Sequence, residues 1–119
     1  MLTAAPLWGR RKVDGKMTCV KVRILKFWDL DWYPGMAECS MIDAFGTEHR
    51  FQHKIPYVSV DDDIILATLP CDGEIRCSIV KEADGLIQID TAAPDSRMKS
   101  LTGEHLFYVL PSQLIELTE

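Results

Sequence analysis

The sequence lacks the features that mark most enzymes and membrane proteins. It contains no run near the ~18 apolar residues that a membrane span needs. It also contains no glycine-rich phosphate loop, no Gly-x-Ser-x-Gly and no His-Glu-x-x-His. We therefore predict a soluble protein with no cofactor, no bound metal and no catalytic activity. A small enzyme with a site around His49, His53 or His105 is an alternative that ranks after binding of a protein and binding of nucleic acid.

Long amphipathic helical patterns are absent as well, which gives a parallel α/β topology no support. The 119 residues fit one globular domain, which at this length buries roughly 65% of its unfolded surface. The segment MLTAAPLWGRRKVDGK lacks the charged start and the long apolar core of a signal peptide. A cytoplasmic location is therefore predicted.

Positive charge is scarce in most of the chain. Residues 1–28 hold seven basic residues against Asp14 alone, whereas residues 29–119 hold six basic residues against seventeen acidic ones. Residues 1–16 show neither a helical nor a strand period and carry Arg10, Arg11 and Lys12. We predict a flexible basic N-terminal arm over 1–16 and a single β domain over 17–119. The arm either contacts nucleic acid or lies over its own acidic domain.

The remaining chain is typical of short strands joined by turns. Thr18 to Phe27 alternates with a period of two, with Val20, Val22 and Ile24 on one face and Lys21, Arg23, Leu25 and Phe27 on the other. Further strands are predicted over Met36–Asp43, Thr47–Ile55, Gly73–Lys81, Leu86–Thr91 and His105–Leu110. Short helical turns are predicted within Asp61–Leu69 and at Pro111–Leu114. The fold prediction is mainly all-β: a small closed barrel or a sandwich of about six antiparallel strands, with at most one or two short helical turns.

The stretch IDAFGTEHRFQH, Ile42–His53, has the composition of an active site but the spacing of a hairpin. Asp43 and Gly46 fit a three-residue loop, which places His49 opposite Met41 and His53 opposite Ala37. On an extended strand, residues four apart lie ~13 Å apart, too far for two ligands of one metal ion. We predict that His49 is a partly buried imidazole bonded to a neighbour and that Asp43 is a turn residue.

The four cysteines predict neither a zinc site nor a redox pair, because none belongs to a Cys-x-x-Cys motif. Cys77 shares its strand phase with Ile75 and Ile79, which predicts a small core residue. Cys19 falls in the polar phase of the first strand. It is therefore the best candidate for an exposed thiol.

Aromatic residues are concentrated in one loop. The segment FWDLDWYPG contains two tryptophans and a tyrosine beside two aspartates, a composition typical of binding hot spots. The predicted contact residues are Trp28, Asp29, Asp31, Trp32 and Tyr33. In the alternative interpretation, Trp28 and Trp32 fold back and plug one end of a barrel.

Turn and strand residues form a further pattern: Asp43-Ala44-Phe45-Gly46-Thr47-Glu48-His49, Lys54-Ile55-Pro56, Leu69-Pro70, Gly73-Glu74-Ile75-Arg76-Cys77, Ile89-Asp90-Thr91, Gly103, Phe107, Pro111 and Gln113-Leu114. Over residues 18–117 this pattern resembles a group of small bacterial proteins with no assigned activity. The resemblance implies a compact β-barrel-like fold and a bacterial cytosolic origin. It transfers no catalytic residue.

These observations predict a β domain that binds another protein, with its acidic body steering a basic partner. An immunity- or inhibitor-like role suits its size and charge. The alternative is a barrel that binds single-stranded nucleic acid through Arg10, Arg11, Lys12, Lys21, Arg23 and Phe27. No membrane contact is predicted, and the oligomeric state stays open.

Overall fold

A computed structural model of the chain describes residues 16–92 and 98–118, which form an all-β fold. The eight strands are β1 Lys16–Trp28, β2 Met36–Ile42, β3 Glu48–Lys54, β4 Cys71–Arg76, β5 Ser78–Ala83, β6 Leu86–Asp90, β7 Leu106–Val109 and β8 Leu114–Thr118. Three 3-10 turns cover Ile55–Tyr57, Ile64–Leu66 and Pro111–Gln113. Within the described ranges, no helix has the length and apolar character needed to cross a membrane. The predicted arm over 1–16 lies outside the described residues, apart from Lys16 at the start of β1.

The strands form two antiparallel sheets, and β1 is the centre of the larger one. The five-stranded sheet has the order β3-β2-β1-β4, with β8 also paired to β1, and the three-stranded sheet has the order β5-β6-β7. Val20 pairs with both Ile75 of β4 and Leu114 of β8, so these two strands lie on opposite edges of β1. β2 follows β8 along the same edge, since Ile24 pairs with both β2 and β4.

Both sheets contribute to one core. Its buried side chains include Val20, Ile24 and Phe51 from the larger sheet and Ile89 and Val109 from the smaller one. The predicted mainly all-β fold is confirmed. The described chain has eight strands rather than about six and three 3-10 turns rather than one or two. Of the two predicted architectures, a closed barrel or a sandwich, the closed barrel is excluded because the two sheets are open.

The predicted strand Gly73–Lys81 is divided at Cys77. The chain passes there from β4 in one sheet to β5 in the other, and the Cys77 N–H donates to the Thr18 carbonyl at 2.9 Å. The apolar phase of Ile75 and Cys77 continues through the bend, and both side chains are buried. The prediction therefore had the correct buried face but missed the change of sheet.

A β-bulge in β1 corrects the predicted position of Phe27. The register with β2 shifts between Ile24 and Lys26, which makes Leu25 the extra residue. Side chains beyond the bulge change face, so Phe27 packs against the core instead of sharing the outer face with Lys21. The period-two pattern places Lys21, Arg23, Leu25 and Phe27 on one face and contains no sign of an inserted residue. The bulge was therefore not predicted from the sequence.

Cys19 is not an exposed thiol, contrary to the prediction. The residue is 2% exposed, and burial raises the pKa of its thiol to about 12. The segment after β3 lies over this end of β1, where Pro56 and Tyr57 line a small pocket together with Cys19. A position on the polar phase of the strand is thus buried, with a segment distant in sequence beside it.

The β2–β3 hairpin has the predicted register. Ala37 pairs with His53, and Met41 pairs with His49. The outer face is less open than its polar composition predicts, because Glu38 is buried beneath the Arg50 side chain, which donates to its carboxylate at 2.7 Å.

Candidate protein contact surface

The loop Asp29–Gly35 connects β1 to β2 and is held in place by its backbone. The Trp32 N–H donates to the Asp29 carbonyl at 3.1 Å, which closes a turn inside the loop. Gly35 has a φ of +78°, and its carbonyl accepts from the Ile55 N–H at 3.1 Å. An added Cβ at Gly35 would lie 3.0 Å from the Ile55 side chain and 3.1 Å from that of Leu30. The loop is therefore fixed against the end of β3.

This fixed loop presents large side chains to solvent. Tyr33 is 96% exposed, Trp32 is 78% exposed and Leu30 is 51% exposed, while Asp29 and Asp31 are exposed beside them. Trp32 therefore does not plug an end of the core. Trp28, the last residue of β1, differs from the other predicted contact residues because it is half-buried.

A groove of about 330 Å³ runs between this loop and residues 55–65. Its lining is apolar side chains, one serine, Tyr33 and three aspartates, and contains no basic residue. The residues concerned are Leu30, Asp31, Tyr33, Pro34, Ile55, Pro56, Ser59, Asp61, Asp62, Ile64 and Ile65. Ile55 and Ile64 belong to the buried core, so the groove is anchored on the interior of the protein.

The far wall of the groove is held by close packing against β4. The Val58 carbonyl accepts from the Glu74 N–H at 2.9 Å, and the Glu74 carboxylate accepts from the Val60 N–H at 2.8 Å. A Cβ at Gly73 would lie 2.5 Å from the Val58 carbonyl, so only glycine permits this approach. Burial raises the pKa of Glu74 above its usual range. Both walls of the groove are therefore preorganised.

Several carboxylates elsewhere in the described ranges have basic partners. Arg23 lies 2.6 Å from Asp72, and Arg50 lies 2.7 Å from Glu38 and 2.8 Å from Glu48. Within residues 16–92 and 98–118, no ion pair engages the three aspartates that line the groove. The groove is thus a locally uncompensated negative surface with an apolar floor.

The histidines are separate and serve the scaffold. His49 Nε2 lies 2.8 Å from Asp43 Oδ2, and His49 Nδ1 lies 3.6 Å from Glu104 Oε1. His105 Nδ1 lies 2.8 Å from an oxygen of Asp90. In the described part of the chain, no three His, Cys, Asp or Glu side chains are placed to hold a metal ion. The prediction that His49 is a partly buried imidazole bonded to a neighbour is confirmed, and the neighbour is Asp43.

The predicted nucleic-acid residues do not share one described surface. Arg10, Arg11 and Lys12 lie outside the described residues. Lys21 and Arg23 are exposed on the outer face of β1, and Arg23 is paired with Asp72. Phe27 lies on the opposite, core-facing side after the bulge.

Residues 55–66 were not predicted as part of a site. The sequence predicted only a short helical turn within Asp61–Leu69, and the predicted contact residues all belonged to the aromatic loop. One feature of the sequence could have indicated a contact surface here, namely large apolar residues outside any predicted strand. Tyr57, Val60, Ile65 and Leu66 are such residues, and all four are exposed in the structure. Comparison with protein-family models, with curated proteins and with solved structures finds no significant match for the chain.

Proposed function

We propose that this protein is a non-catalytic binding module that contacts another protein through Leu30, Trp32, Tyr33 and the adjoining groove. The exposure of Trp32 and Tyr33 on a hydrogen-bonded loop carries the proposal. Exposed apolar surface is unfavourable in water, and large aromatics with polar edges dominate the energetics of protein interfaces. A contact with a partner removes that surface from water.

The distribution of exposed apolar residues supports the same surface. Of the thirteen large hydrophobic side chains exposed in the described ranges, Leu30, Tyr33 and Ile65 line the groove, and Trp32 lies beside Tyr33 on the same loop. Scattered single residues of this kind are ordinary on a monomer, whereas a concentration of them marks an interaction site. An immunity- or inhibitor-like role belongs to this functional class.

Preorganisation also supports binding over a structural role for the loop. Ordering a loop on association costs affinity, and a loop that is already ordered avoids that cost. The hydrogen bonds of Trp32 and Ile55 hold the aromatic side chains on a defined backbone before any partner arrives.

The test is affinity capture with the purified protein, identification of the captured protein, and calorimetry with that partner in pure form. We expect Trp32→Ala or Tyr33→Ala to weaken binding by about tenfold or more, as for hot-spot residues. Phe45→Ala is the matched control, because Phe45 is a 68% exposed aromatic on the other end of β2. Unchanged affinity in both loop variants would refute the proposal.

A further inference from the structure

We infer that the partner contributes a basic segment with an apolar anchor: a large aliphatic or aromatic side chain enters the groove, and flanking Lys or Arg side chains pair with Asp31, Asp61 and Asp62. This inference rests on the proposed function and specifies the chemistry of the partner.

The shape and polarity of the groove select the anchor. Its volume of about 330 Å³ is at the lower end of the range for ligand pockets, which suits one or two side chains and not a folded domain. Leu30, Pro34, Ile55, Ile64 and Ile65 provide apolar surface on both walls and the floor. An apolar side chain leaves water there without leaving a polar group unpaired.

The charge of the groove selects the flanking residues. Three carboxylates lie in its lining with no cation among the lining residues. The Asp61 Oδ1 accepts from the Asp63 N–H at 2.9 Å, so its second oxygen is not needed for that turn. Lys or Arg side chains of a partner would compensate this charge, whereas phosphates or acidic peptides would be repelled. The surplus of acidic residues over 29–119 steers a basic partner toward the domain.

A peptide titration tests the inference with the intact chain. The probe is an acetylated, amidated pentapeptide with a central leucine flanked by two arginines on each side, and the readouts are calorimetry and tryptophan fluorescence. We expect saturable binding that weakens as salt rises. The double variant Asp61→Asn, Asp62→Asn should weaken binding by about fivefold, given the small contribution of each exposed ion pair. Asparagine at position 61 retains the oxygen that closes the turn, so this variant keeps the fold.

The matched control removes the same charge from another surface. Glu82→Gln with Asp84→Asn removes two carboxylates from the exposed β5–β6 hairpin. This variant should leave peptide affinity within about twofold of the wild type, because neither residue lines the groove and exposed charges that do not contact the peptide are screened by solvent and salt. Equal weakening by both double variants would mean that the peptide senses net charge only, which would overturn the inference.

Three further outcomes would also overturn it. A peptide with glycine in place of leucine that binds equally well would show that no anchor enters the groove. If a peptide with glutamate in place of arginine binds equally well, the groove does not select basic side chains. A dimer detected by sedimentation and abolished by Trp32→Ala would make a second copy of the chain the occupant. If the peptides fail while Trp32→Ala still weakens the captured partner, the basic segment is wrong and the binding surface stands.

Discussion

The two loops at opposite ends of β2 are built from similar residues but use their polar side chains differently. Asp29–Gly35 and the turn that begins at Asp43 each start with an aspartate, contain a glycine with positive φ and expose an aromatic ring. In the second loop, the Asp43 carboxylate accepts from the Phe45 and Thr47 N–H groups and contacts His49. In the first, the carboxylate of Asp31 faces the groove without an ion pair to the described residues.

The difference shows that composition does not separate a turn that satisfies its own polar groups from a loop that leaves its side chains exposed. The hairpin turn uses its polar groups to satisfy its own backbone, which leaves little to offer a partner. The aromatic loop is held by backbone hydrogen bonds alone, so its side chains stay available. Four predictions test this comparison.

Among substitutions in the two loops, the largest effect is expected from Asp43→Ala. The substitution removes two backbone hydrogen bonds and the contact to a buried histidine, so the free energy of unfolding should fall by about 3 kcal/mol. Asp31→Ala should change it by less than about 0.5 kcal/mol, as for other surface positions. Urea unfolding of both variants measures the difference, and equal losses would contradict the contrast.

The two turn glycines should also differ. Gly46 has a φ of +83° with nothing near an added Cβ, so Gly46→Ala should cost only the strain of that backbone, about 1 kcal/mol. Gly35→Ala adds a tight approach to Ile55 and Leu30 and should cost about 2 kcal/mol or more. A Gly46→Ala variant as unstable as Gly35→Ala would show that the first loop is not fixed against β3.

The Asp43 contribution should depend on pH. Burial alone would raise the pKa of Asp43, but hydrogen bonds from His49, Thr47 and Phe45 outweigh burial and lower it. A carboxyl whose folded-state pKa is depressed stabilises the protein above its ordinary pKa, and this stability is lost as pH falls through the folded pKa. The stability gap between the wild type and Asp43→Asn should therefore be full at neutral pH and shrink below pH ~4. Asp31→Asn is the control, and a gap that does not change with pH would be evidence against this ionisation.

The smallest effect on stability is expected at the aromatic loop. Trp32→Ala should alter the free energy of unfolding by less than about 0.5 kcal/mol, because Trp32 contributes little to the core. Phe51→Ala, in a fully buried position, should cost about 3–5 kcal/mol. A loss above about 1 kcal/mol in Trp32→Ala would assign the loop to the scaffold.

Features that depend on neighbouring residues were predicted from the sequence. The register of β2 with β3 followed from Asp43, Gly46 and the alternation around them, and the structure has that register. The strands of the β5–β6 hairpin overlap the predicted strands Gly73–Lys81 and Leu86–Thr91, and the turn residues between them, Asp84 and Gly85, both adopt positive φ. The strand β8 was not predicted, because its pairing with the start of β1 joins segments nearly a hundred residues apart.

The sequence by itself determined the all-β class, the hairpin turns and the aromatic composition of one loop, since these depend on a period of two and on local backbone preferences. Only the tertiary structure decided that Cys19 is covered, that Phe27 turns inward, and that residues 55–65 form the second wall of a groove. The physical reason is that exposure depends on which distant segment packs against a residue. The hydrogen bond from Ile55 to Gly35 continues the β2–β3 register, whereas the close approach of Val58 to Gly73 joins segments whose local patterns carry no information about each other.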